Sequence, residues 1–409
     1  MSQPQDRATL AKGLVFVGAA TLIGNGAAYL LSMIAARILT PAEFGALGAL
    51  LALLVILSTV AIATQAVTAR RVAVATDERP QVEGEAIRLS TVVAATIVVG
   101  GCVVAWPLAQ VFAIPVLAVA TGFASIGFVV IGSAAMGIAQ GREQHARLSW
   151  AFVANGAGRA IGGIIGVVLL DSVVGVGIGI LLGCAFGAAV AYQIICPRTW
   201  SHGLSAGARG EFAHVLHALF VLFTLTNVDV LLARLFLTED QSGEYSVGVL
   251  LAKIAFFLPN AIVIVLFPKM TSANSRRAVY VATALTAFVG LCITSFSFFF
   301  GDFVIRVLGG TQYPDLGSEA WLFALEGSLF AIVQVLLYAR LATQDRSAVL
   351  AVWVALIVLV VIVAGWRHDS VAHRDHRRRG VAGPRDRRAR HGPASRTGRA
   401  DTGRIGRVT

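Results

Sequence analysis

The chain has 409 residues, 57% of them hydrophobic and only 13% charged, with a mean hydropathy of +0.78. A soluble domain carries about a quarter of its residues as Asp, Glu, Lys or Arg, so this composition excludes an ordinary water-soluble globule and points to lipid as the solvent. The formal charge of +11 is concentrated after Gly365, where 13 arginines face 4 aspartates, and the preceding body is close to neutral.

Eleven apolar runs follow one another between Gly13 and Gly365, at about 13–36, 46–68, 89–112, 116–138, 148–170, 173–195, 213–237, 246–267, 279–300, 321–343 and 347–365. Most exceed the roughly 18 residues needed to cross a bilayer as a helix. The first is too long for the apolar core of a signal peptide and is read as the first span. The expected fold class is therefore an all-α integral membrane protein. The four cysteines lie in or beside these runs and read as small buried hydrophobes. No Walker-type loop, HExxH or GxSxG occurs, which argues against an ATPase or hydrolase; neither catalytic residues nor a metal or cofactor is expected.

Basic residues orient the chain. With the N-terminus in the cytoplasm, fifteen Lys and Arg of the body fall in inside connections and three (Arg37, Arg234 and Arg306) outside, while Arg159 and Lys253 fall within spans. The tail breaks the pattern, because eleven spans leave Trp366 outside with its thirteen arginines. Such a segment could be an arm for nucleic acid or anionic lipid. The charge asymmetry instead favours non-native, frameshift-like text at 366–409, disordered and replacing a twelfth helix, and no nucleic-acid partner is expected.

The chain contains an internal repeat. After the first span it reads Ala36-Arg37-Ile38-Leu39-Thr40, with Gly45 following; after the seventh it reads Ala233-Arg234-Leu235-Phe236-Leu237-Thr238, with Gly243 following. The offset near 197 residues spans six helices, so both copies keep one orientation, as in transporters built from parallel repeats. The expected domains are a six-helix lobe at 1–196, a cytoplasmic linker at 197–211 and an incomplete five-helix lobe at 212–365.

Five stretches then carry a family resemblance: AARILTPAEFGALGAL (Ala35–Leu50), TQAVTARRVA (Thr64–Ala73), AQGREQHARLS (Ala139–Ser149), Asn227–Met270 with its intramembrane Asp229, Gly243-x-Tyr245 and Pro268, and VLGGTQYPDLGSEAWLFAL (Val307–Leu325). Over about 8–365 the chain resembles the polysaccharide flippases of the multidrug/oligosaccharidyl-lipid/polysaccharide exporter superfamily. The resemblance implies two six-helix lobes related by a pseudo-two-fold along the membrane normal, alternating access, and transfer of a lipid-linked saccharide to the outer leaflet of a bacterial cytoplasmic membrane. It also implies membrane lipids, a polysaccharide polymerase and glycosyltransferases as partners. A cation-coupled multidrug exporter of the same superfamily and a membrane polymerase or glycosyltransferase are the alternatives. The first would favour an acidic, aromatic pocket, and the second a larger outer loop than Gly301–Ala320.

Polar groups at membrane depth are costly and tend to face a cavity. The candidate site residues are Arg159 with Asn155 one turn before it, Asn227, Lys253 with Asn260 beyond it, and Asp229. Arg159 could hold phosphate oxygens bidentately and Lys253 as a point charge; Asp229 could take a proton or cation, or neutralise a basic residue. The purely structural alternative is an Asp229–Lys253 or Asp229–Arg159 pair that fixes helix packing. Glu326 reads as reaching water, and Arg70–Arg71 as setting topology. The Gly-rich stretch Gly158–Val168 is expected to permit close helix contact.

Overall fold

Inside a bilayer the backbone must satisfy its own hydrogen bonds, and a helix does this within a single segment. The computed structural model describes residues 18, 23–75, 78–195, 206–257 and 275–341, together with 353, 357, 358 and 361, and no strand occurs among them. The helices are α1 (Ile23–Ile38), α2 (Pro41–Val74), α3 (Arg79–Phe112), α4 (Val116–Gly141), α5 (His145–Leu170) and α6 (Val173–Ile195). There follow α7 (Ala206–Leu225), α8 (Val228–Phe236), α9 (Glu239–Phe257), α10 (Ser275–Phe299), α11 (Gly301–Gly309), the 3₁₀ turn η1 (Pro314–Glu319) and α12 (Ala320–Leu341). All belong to a unit Met1–Ile357, distinct from a unit Val358–Thr409.

Among the described residues, seven helical segments are long and apolar enough to cross a membrane, and the α7–α8 pair makes eight when counted as one bent span. The protein is thus a multi-span membrane protein. The expected spans at 13–36 and 246–267 are described only in part, as α1 and α9. The span at 347–365 lies almost wholly outside the described residues, and the tail at 366–409 entirely so.

Several boundaries differ from the sequence reading. Helices α2 and α3 have 34 residues each, about 51 Å at 1.5 Å per residue, so both overrun a hydrocarbon layer of roughly 30 Å. Their extra turns carry the charges that end a hydropathy window, and several of those charges are paired. Arg71 bonds Glu85 at 3.0 Å, and Arg142 at the end of α4 grips Glu83 through both carboxylate oxygens. The span at 213–237 is broken, with α7 and α8 bent by 48° at Thr226–Asn227. Helix α7 already begins at Ala206, inside the expected linker at 197–211. The connection 301–320 is not an open loop but holds α11 and η1.

Short turns make α3–α4 and α5–α6 antiparallel neighbours. Along α5–α6 the approach is set by glycine. A Cβ on Gly158, Gly162 or Gly166 would strike the α6 backbone at Gly183, Gly179 or Gly175, and the reverse holds too. The expected close contact is therefore what this stretch provides, in the small-xxx-small manner of membrane helices. Helices α2, α4 and α6 carry the buried core, whereas α3, α5 and α10 expose Val99, Val103, Trp106, Leu169, Phe288 and Phe299. Large apolar side chains on an outer surface are stable against lipid.

The two copies of the repeat fold alike. Thr40 caps α2 with a reciprocal capping box to Glu43, and Thr238 exchanges the same pair of bonds with Gln241 at the start of α9. The two repeat glycines meet: a Cβ on Gly45 would strike Ser242 and the Gly243 amide, and one on Gly243 would strike the Pro41 carbonyl. Helices α2 and α9 thus touch at their N-terminal ends through matching positions.

Candidate functional site

The break between α7 and α8 places polar groups at membrane depth. Asn227 precedes α8 with non-helical backbone (φ −138°, ψ −4°). Its amide donates to the Phe223 carbonyl at 2.9 Å and to Thr226 Oγ1 at 3.1 Å, satisfying groups that an unbroken helix would have used internally. Its own Oδ1 accepts from Lys253 Nζ at 3.1 Å. Asp229 stands in the first turn of α8, where the helix dipole favours an anion. Its Oδ2 accepts from the Tyr245 hydroxyl at 3.3 Å, and its Oδ1 is buried without a hydrogen-bond partner among the described residues.

Helix α12 closes this cluster. Phe323 meets Tyr245 edge to face at 5.5 Å. Gly248 of α9 leaves room for the Phe323 ring, and Gly327 of α12 lies against the Ala252 carbonyl. Glu326, on that same turn, is half-buried and lies within electrostatic reach of both Asp229 and Tyr245. It is partly shielded from water, and the carboxylate it senses belongs to this cluster. Two acids, one lysine, one asparagine and one tyrosine therefore share one locality on α8, α9 and α12, with Asn227 at its edge.

Arg159 and Asn155 occupy a different place, on α5, where their Cα atoms lie against Gly183 and Gly187 of α6. Both side chains are half-buried. Arg159 is within electrostatic reach of Cys184, but neither side chain makes a hydrogen bond or ion pair with a described residue. The Asp229–Arg159 pair of the structural alternative is not formed. Nor do Asp229 and Lys253 make a direct ion pair: Lys253 senses the carboxylate but bonds Asn227 instead. The structure thus gathers Asn227, Asp229 and Lys253, and holds Arg159 and Asn155 apart from them. Asn260 lies outside the described residues.

The sequence reading assigns neither Tyr245 nor Glu326 to a site. A signal for Glu326 exists, because an acid six residues into the apolar run from Ala320 needs a partner or a cavity. Tyr245 has only the Gly243-x-Tyr245 pattern, and nothing local aims its hydroxyl at Asp229, sixteen residues earlier.

Residues 10–274 match the family described as polysaccharide biosynthesis protein. No curated protein matches the sequence. Among solved structures, the chain is similar to the inward closed form of the lipid II flippase MurJ (TM-score 0.66, 13% identity, covering 83% of this chain and 78% of that one). It is also similar to an inward-facing multidrug resistance MATE transporter of the MOP superfamily (0.61, 13%, 84% and 94%). A third likeness is to a point mutant of the Vibrio cholerae MATE transporter VcmN (0.57, 16%, 87% and 87%). At these identities the likeness shows a shared fold and nothing more.

Proposed function

The chain belongs to the polysaccharide biosynthesis protein family, and from that premise we propose that it flips a lipid-linked oligosaccharide from the cytoplasmic to the outer leaflet of a bacterial cytoplasmic membrane by alternating access. The distribution of Lys and Arg supports a cytoplasmic N-terminus. The α1–α2 and α8–α9 turns then face outward. A polymerase and glycosyltransferases would consume and supply the substrate.

The observation that carries this reading is Arg159. A guanidinium in the middle of a membrane-crossing helix, with no described partner, is costly against lipid. The cost falls if it lines a water-filled cavity that receives an anion, and the pyrophosphate of a lipid-linked sugar is such an anion, suited to a forked donor. Asn155 would assist on the same face of α5, and Lys253 and Asn227 would complete the substrate contacts from α8 and α9. Asp229, with one carboxylate oxygen unpaired, would take a proton or cation. Loading it would weaken the field that draws Lys253 to this cluster, so that Lys253 would exchange Asn227 for the substrate and link binding to the change of access.

The test uses the purified chain in liposomes and a fluorescent polyprenyl-pyrophosphate disaccharide, whose transfer is followed by dithionite quenching. Arg159→Ala should abolish transfer with insertion intact, and Arg159→Lys should restore part of it. Normal transfer with Arg159 and Asp229 both neutralised would overturn the proposal. Multidrug export, the activity named for one of the structural neighbours, would instead show as dye efflux indifferent to Arg159.

A further inference from the structure

Arg37 and Arg234 occupy the same position in the two copies of the repeat, at the C-terminal ends of α1 and α8. Each reaches into the opposite half of the chain and ends on the C-terminal carbonyls of a helix there. Arg234 donates from Nε to the Phe112 carbonyl at 2.9 Å and from Nη2 to the Ala113 carbonyl at 2.9 Å, closing the end of α3. Its Nη1 donates to the Ala42 carbonyl at 3.3 Å and to Ser242 Oγ at 2.9 Å. Arg37 donates from Nη2 to the Val307 carbonyl in the last turn of α11. The connection from α11 into η1 bonds the same stretch of α1: Gln312 donates to the Arg37 carbonyl at 3.0 Å and the Tyr313 hydroxyl to the Ala36 carbonyl at 3.4 Å. The exchange is reciprocal, as at a two-fold interface.

Cations suit these sites because the C-terminal end of a helix carries partial negative charge and unpaired carbonyls. Ala113 shows how closely the first site is built, since it takes a left-handed conformation (φ 48°) in a residue with a side chain. The two sites differ in exposure. Arg234 is only 7% exposed and makes its bonds away from water, whereas Arg37 is exposed. Beside them, α2 and α9 touch through Gly45 and Gly243. At the other end of the bundle, the one ion pair joining the two halves among the described residues is Arg70–Glu211, with Arg70 77% exposed.

We infer that Arg37 and Arg234 are twin clasps that hold the α1–α2 and α8–α9 end of the transport path shut, and that both must let go of their helix ends before that end opens. The inference rests on the transport reading for the meaning of opening, but its test does not need transport. Arg234 is the stronger clasp, because its bonds are shielded from water and charged hydrogen bonds gain strength there. Arg37 is the weaker and is free to release first.

The experiment is double electron–electron resonance on the full chain in nanodiscs. Its four native cysteines are replaced, and labels are placed at the exposed positions Leu117 and Asp240, on opposite sides of the closure. The parent should give one short distance. Arg234→Ala should raise a longer-distance population about tenfold, the equivalent of one charged hydrogen bond at about 1.4 kcal/mol. Arg37→Ala should raise it by a smaller factor, and Gly243→Ala, which sets a methyl group against the Pro41 carbonyl, should do the same without touching either arginine. Where Arg234→Ala fails to give monodisperse protein, Arg234→Lys, Arg37→Ala and Gly243→Ala decide. Unchanged distances in the variants that fold would overturn the clasp. A lengthened distance in a protein that moves no lipid-linked saccharide would keep the clasp and reject the substrate.

Discussion

The pairing of Arg142 with Glu83 sets a clear energetic test. Arg142 donates from Nε to Glu83 Oε1 at 2.6 Å and from Nη2 to Oε2, and its Nη1 lies 3.5 Å from the Ile195 carbonyl at the end of α6. One guanidinium thus ties the start of α3, the end of α4 and the end of α6. The Glu83 side chain is 4% exposed and that of Arg142 22%. Arg142→Ala would leave a buried carboxylate without its cation, which costs about 3–5 kcal/mol. Arg70–Glu211 forms at a comparable 2.9 Å but is 77% and 25% exposed, so Arg70→Ala should cost less than about 1 kcal/mol. The double change Arg142→Met with Glu83→Leu should recover most of the loss, because it removes both desolvated charges together. Unfolding in mixed micelles, titrated with dodecyl sulfate and followed by tryptophan fluorescence, measures all four proteins. Equal losses for Arg70→Ala and Arg142→Ala would refute the argument that burial sets the scale. A double variant no better than Arg142→Ala would show that the pair is needed for more than mutual neutralisation.

Other outcomes follow from the same geometry. Gly179→Val puts two methyl groups where the Gly162 carbonyl lies, and the yield of monodisperse protein on size-exclusion chromatography should fall several-fold, whereas Gly100→Val, with open space around it, should leave the yield unchanged. Asp229→Asn should remove any stimulation of transfer by an imposed proton or sodium gradient, and Tyr245→Phe should weaken it by only a few-fold, since the lost bond is a long 3.3 Å one; both are read in the liposome assay with and without the gradient. An experimental structure should superpose 1–196 on 212–365 at an offset near 197, and a single bundle without that pseudo-symmetry would reject the two-lobe reading.

Much of the fold was written in hydropathy, because lipid rewards long apolar runs and leaves the backbone no alternative to the helix. The errors share a cause. Residues 41–45 and 69–74 of α2, like 79–88 of α3, carry Glu43, Arg70, Arg71, Arg79, Glu83, Glu85 and Arg88, so a lipid scale ends the helix early, although Thr40–Glu43 caps it and Arg71–Glu85 holds it. The break at Thr226–Asn227 was invisible for the opposite reason: it lies within an apolar run, and the side-chain bonds of Thr226 and Asn227 to the carbonyls before it make the bend tolerable. Asp229 and Lys253 could be picked out because charge is rare at that depth, but their actual partners, Tyr245 and Asn227, depend on how α8 and α9 cross.

The repeat shows why a sequence pattern can reveal a mechanism that no single residue reveals. In the sequence Arg37 and Arg234 stand only among the three basic residues of the body that fall outside. Two arginines at equivalent positions of a parallel repeat must meet equivalent surroundings if the halves face one another across an axis. Each then lies opposite a helix end belonging to the other half, which is where the structure puts them. The glycines at 45 and 243 obey the same rule and face one another. A path that opens alternately to two sides needs one end whose contacts are strong yet separable as a set. Carbonyl-bound arginines meet that need better than buried ion pairs would. On separation each carbonyl and each guanidinium can turn to water, and no opposite charge is left stranded in a dry interior.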